Sequence, residues 1–109
     1  MPAAYRVLGQ SNPAATTLTT LYTVPASTST VLSTLSVANL STSAITFRVA
    51  IRPAGATVAN QHYIAFDAAV TANDSVFLTL GVSLAATDVV SVFASTANVA
   101  FAVFGSEIT

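Results

Sequence analysis

Residues 45–52 constrain the fold more than any other stretch. Ile45-Thr46-Phe47-Arg48-Val49-Ala50-Ile51-Arg52 alternates without a fault. Ile45, Phe47, Val49 and Ile51 face one way; Thr46, Arg48, Ala50 and Arg52 face the other. A period of two is that of a half-buried strand. Pro53-Ala54-Gly55 ends it by withdrawing a ladder donor and permitting positive φ.

Further strands are expected over 4–9, 18–24, 30–39, 63–67, 75–81, 88–95 and 98–105. In the third, Val31, Leu35 and Val37 share a face; in the sixth, Val76, Leu78 and Leu80 point inward. The last two segments, separated by Thr96-Ala97, are the best hairpin candidate, although the turn lacks a glycine signal. Ala-rich residues 65–72 leave room for one helical turn, against which Val70-Thr71 argues. No helical period persists elsewhere. Strands every 8–12 residues with turn signals between them point to an all-β fold. The expectation is a single antiparallel β-sandwich over residues 1–109, jelly-roll-like, with about eight strands. Residues 1–13 are a possible N-terminal arm, because Asn12-Pro13 is a natural break.

Charge then narrows the function. Only 6% of the 109 residues are charged: three arginines against four acids, with no lysine and no cysteine. Three arginines make no basic field for nucleic acid. Disulfide scaffolds, zinc ribbons and thiol enzymes all need cysteine. Mean hydropathy is +0.73, yet Ser, Thr, Asn or Asp interrupts every apolar run, so no spanning helix is expected. Aromatic girdles of a membrane barrel are missing too. Residues 1–6 lack the charged and apolar regions of a secretory leader, so synthesis in a cytoplasm is expected. Solubility falls to Ser and Thr, 28 of the 109 residues, and packing partly to 21 alanines.

No catalytic constellation emerges. His62 is the only histidine, and its window, residues 60–67, holds no serine motif. It is expected beside Tyr63 at a surface or interface. Asp74 and Asp88 stand where capping or Asx turns explain them. Metal ligand spacing and a glycine-rich phosphate loop are absent. The expectation is no enzyme, no cofactor and no metal.

The C-terminal strands are apolar on both faces, and the second face carries Phe93, Ala100, Ala102 and Phe104. Monomers rarely expose large apolar patches, and near-zero charge promotes association. These four are therefore interface candidates, as are Arg48 and Arg52 on one strand face, which either meet an acidic partner or extend into solvent. A homo-oligomer is expected.

Residues 21–25 (LYTVP), the following Ser/Thr stretch and the strand at 31–39 resemble small structural proteins of tailed bacteriophages, including cyanophages and other marine phages. Residues 47–53, 61–67, 87–95 and 104–107 continue the likeness over most of the chain. The resemblance implies a non-enzymatic virion protein, of the capsid decoration or cement type. Its implied partners are further copies of itself, a trimer being favoured, and other virion proteins such as the major capsid protein. The alternative is a tail, baseplate or fibre component that binds a receptor or carbohydrate, for which Tyr63 and His62 are the binding candidates.

Overall fold

Eight strands form because β-branched and aromatic residues fill the segments between short Ala/Ser/Thr/Asn turns. The computed structural model describes residues 3–109. In chain order the strands are β1 (Ala3–Ser11), β2 (Thr19–Thr23), β3 (Ser29–Asn39), β4 (Ile45–Arg52), β5 (Tyr63–Val70), β6 (Ser75–Leu84), β7 (Val89–Ala94) and β8 (Val99–Ile108). Two 3-10 turns, Pro53–Gly55 and Asn60–His62, interrupt the β4–β5 connection.

The strands make two antiparallel four-stranded sheets, ordered β1-β8-β3-β6 and β2-β7-β4-β5. This alternation is the double Greek key of a jelly roll. Only β4 and β5 are neighbours in both chain and sheet; every other connection crosses between sheets. The expected β7–β8 hairpin is therefore corrected. β7 pairs with β2 and β4, while β8 pairs with β1 and β3. The Ser95–Asn98 link has no tight-turn glycine to fold it back, and it bridges the layers.

Residues 3–11 of the expected arm are an integral edge strand, paired with β8 from Ala3↔Ile108 to Ser11↔Phe101. Residues 1–2 of that arm lie outside the described residues. The alanine-rich 65–70 stretch is extended within β5. Its neighbour β4 supplies a hydrogen-bonding edge that outweighs alanine's helix preference.

Inward positions from both sheets make one core: Leu32, Leu35, Val37, Phe101 and Val103 against Phe47, Val49, Val90 and Val92. Phe47 and Phe101 meet edge-on across the layers at 6.2 Å. The face of Val31 is a second correction. The β3 register shifts between Leu32 and Thr34. This bulge turns Leu32 inward with Leu35 and Val37 and leaves Val31 outside. Val76, Leu78 and Leu80 do point inward, packed at the core margin.

Each end of the sandwich is closed by polar residues. At one end Asn39 is buried, and its Nδ2 donates to the carbonyls of Ser43, Val70 and Thr71. Its Oδ1 accepts from the Ser41 N–H at 2.9 Å and the Ser41 hydroxyl at 2.7 Å. Asn12 joins this end by donating to the Ala97 and Val99 carbonyls. Asp88 ties loops together: Oδ2 accepts from Ala85 N–H and Oδ1 from Ala54 N–H, both at 2.9 Å.

Candidate functional site

The two outer faces of the sandwich have opposite characters. On the β2-β7-β4-β5 sheet, the chain covers itself. Arg48, pointing outward from β4, lies 4.0 Å from the Phe66 ring centre and 4.4 Å from that of Phe93. Its Nε donates to Asp67 Oδ1 at 2.7 Å and its Nη2 to Oδ2 at 3.3 Å, a two-pronged ion pair. That carboxylate raises the Arg48 pKa above its ordinary value. Asp67 reaches this position from a register break in β5, with φ at 52°. Tyr63 meets Phe66 edge-on at 4.9 Å.

Arg52 is equally engaged. Its Nε and Nη2 donate to the Ala56 and Gly55 carbonyls at 2.7 and 3.1 Å, and Nη1 to Ser91 Oγ at 3.2 Å. The guanidinium thus fastens the loop after β4 over the sheet. Beneath this cover, outward-facing Ala50 and Ser91 are 0% exposed. His62 accepts the Ala59 N–H at its Nδ1, at 2.9 Å, and so closes the second 3-10 turn. Asn60, Tyr63 and Phe66 line a shallow hollow of about 400 Å³.

The β1-β8-β3-β6 sheet has no such cover. Register places Tyr5 and Val7 of β1, Phe104 and Ile108 of β8, and Val31 of β3 on one outer face. Tyr5 is 84% exposed and Val31 39%. These five line a hollow of about 560 Å³ with Ser33, Ser106 and Arg6, whose side chain is 60% exposed while it pairs with Glu107. The Ser106 hydroxyl is buried and finds no partner among the described residues. Along the same face, Ser36, Ala38, Ala100 and Ala102 border a second depression of about 390 Å³. Phe77 stands at the β6 edge, 67% exposed. The outward register positions of these four strands carry no charged residue; Arg6 of edge strand β1 reaches the margin of the face, where it pairs with Glu107.

The six interface candidates consequently divide. Arg48, Arg52 and Phe93 belong to the self-covered face, and Ala100, Ala102 and Phe104 to the bare one. They do not form one surface, because β7 and β8 lie in different layers. Tyr63 joins Phe66 and Arg48, whereas His62 is occupied by its own turn.

A buried polar group escaped the sequence reasoning. Glu107 is 7% exposed at the inner end of β8. Tyr22 donates its hydroxyl to Glu107 Oε2 at 2.6 Å. Since that is the only phenolic proton, Thr30 donates to the Tyr22 oxygen at 2.8 Å. Arg6 donates to Glu107 Oε1. The cluster links β2 of one sheet to β1, β3 and β8 of the other. Tyr22 holds the Glu107 carboxyl below its ordinary range, helped by Arg6 and opposed by burial. Burial, then the Glu107 carboxylate, push the Tyr22 hydroxyl up to about 12. Only the register, which turns residue 107 inward at the end of β8, reveals the cluster; no local motif marks it.

Fold and surface together define a jelly-roll sandwich with one bare, largely apolar sheet face, bordered by the Arg6–Glu107 ion pair. No known family model matches the chain, and no curated protein matches its sequence. Among the described residues, no three His, Asp or Glu side chains gather to hold a metal ion. Among the described residues, no helix is long and apolar enough to cross a membrane.

Proposed function

We propose that this chain is a non-enzymatic structural protein of a tailed-bacteriophage particle, a decoration or cement subunit that assembles with copies of itself on the virion. The observation that carries the reading is the bare outer face of β1-β8-β3-β6. It joins exposed Tyr5, Val7 and Val31 to Phe104 and Ile108, and the charge at its rim, Arg6, is already paired with Glu107. Apolar surface of this extent is characteristic of interaction sites. Jelly rolls occur in viral capsid domains, which is analogy at the level of fold. The sequence resemblance to phage structural proteins adds the context of the particle and its major capsid protein.

Quantitative mass spectrometry of purified particles tests this. Hundreds of copies per particle are expected for a head or tube component. A dozen or fewer would favour a baseplate or fibre, and absence from particles would overturn the reading.

One observation favours a second reading, a receptor- or carbohydrate-binding module of a tail or fibre. Tyr63, Phe66 and Asn60 surround an open hollow beside the Arg48–Asp67 pair. Aromatic rings next to fixed polar groups suit a sugar's apolar face and hydroxyls. Glycan binding that is lost in Tyr63→Ala and Phe66→Ala would support it. Silence across a broad glycan array would exclude it.

A further inference from the structure

We infer that the bare face is a two-fold interface with a second copy of this chain, its strands running antiparallel to their counterparts across the contact. This deepens the assembly reading above and rests on it only for self-association. It departs from the trimeric expectation, because a three-fold contact joins two different patches and this face complements itself.

Two arguments identify the occupant. The first is area. Four strands about 4.8 Å apart and about nine residues long at ~3.3 Å each present a plane of ~570 Å² per copy. Face-to-face stacking would bury ~1,100 Å² in total, just above the ~1,000 Å² that a biological interface must clear. The opposite sheet cannot offer this, since Arg48, Arg52 and the loop after β4 already cover it.

The second is the distribution of bulk. Outward positions of β8 run Ala100, Ala102, Phe104, Ser106, Ile108, small at one end and large at the other. On β1, Tyr5 and Val7 stand at the large end; on β3, Val31 stands beside Ser106 and Ala38 beside Ala100; only Phe77 of β6, beside Ser36, runs against the gradient. A two-fold axis crossing the strands near Phe104 brings the two Phe104 rings together at the axis and lays the large end of each copy over the small end of its partner. Ile108 then faces the partner's Ala100. An axis along the strands would set bulk against bulk and alanine against alanine, leaving voids. Interdigitation of inner faces is how stacked sheets fill their ~10 Å spacing.

Light scattering during gel filtration, at tens of micromolar, gives the first test. Wild type is expected at twice the 11.1 kDa chain mass. Tyr5→Arg/Val31→Arg alters two exposed side chains, so the fold should survive and the mass should halve. Phe66→Ala, on the other sheet, should remain dimeric. Circular dichroism checks each variant's fold. A wild-type monomer or trimer, or a folded arginine variant that stays dimeric, would overturn the inference.

The cysteine-free chain permits a test of orientation. Ala100→Cys/Ile108→Cys should be joined into dimers by a short bismaleimide, and either single variant should not. Efficient joining of Ala100→Cys alone would sink the antiparallel arrangement. A monomer in solution that is abundant in particles would remove this inference and leave the virion role. A dimer absent from particles would do the reverse.

Discussion

Glu107 is a carboxylate at the edge of a hydrophobic core, and its charge is met by Tyr22 and Arg6. Buried polar groups are costly when left unpaired, about 1–3 kcal/mol each and more if charged. Tyr22→Phe is therefore expected to destabilise the protomer by about 1–3 kcal/mol, seen as a lower urea midpoint at unchanged slope. The same pair sets two pH limits. The folded-state pKa of Glu107 is depressed from 4.5. Its contribution is thus complete above the unfolded value and is lost as pH falls through the folded one. Tyr22 is raised from 10 to about 12. Its contribution is complete below pH 10 and disappears as pH rises toward 12. Denaturation midpoints across pH should show both slopes in wild type. Glu107→Gln should flatten the acid limb, and Tyr22→Phe the alkaline one; unchanged limbs would contradict these roles. Two glycines make a further contrast. A Cβ on Gly105 would lie 2.1 Å from the Val31 carbonyl oxygen, whereas one on Gly81 would meet nothing within 4 Å. Gly105→Ala should cost about 3 kcal/mol or more, because backbone must move. Gly81→Ala should instead stabilise by about 0.4–1 kcal/mol, through the unfolded chain. Thermal melts separate the two signs.

Among elements, β4 was fully legible: its alternation runs unbroken from Ile45 to Arg52, and those are its observed ends. β3 was legible as a strand but not as a face. Alternation assumes one residue per step, and the break between Leu32 and Thr34 inverts everything before it. Nothing in Val31-Leu32-Ser33-Thr34 announces a bulge, since its cause is the joint demand of β6 and β8. Leu32→Ala is accordingly expected to cost about 2–5 kcal/mol. Val31→Thr, on the solvent side of the protomer, should stay within about 0.5 kcal/mol in dilute protein. Equal effects in urea unfolding would contradict the bulge. The candidate site was half legible for a related reason. Local pattern located Arg48, Phe93, Ala100 and Phe104 on outward faces, but only the pairing of whole strands decides which outward face. Phe66 joined Arg48 through the break at Asp67, whose φ of 52° no local signal foretold.

For the whole molecule, the strand order means that almost nothing forms locally. With β4 and β5 the only chain neighbours paired in a sheet, most loops must close before their contacts reward them. Such topologies fold in milliseconds to seconds. Stopped-flow refolding should therefore show its main phase in that range, and a dominant microsecond phase would be inconsistent with this connectivity. The β1–β8 ladder has another consequence. Ala3 and Ile108 are direct cross-strand partners, so both ends of the described chain emerge side by side at one pole. A peptide fused to either end would be presented in the same direction, and a short linker could splice the ends into a ring. Cutting that ring between the two 3-10 turns, at exposed Ala56 and Thr57, would give a circular permutant with every strand pairing retained.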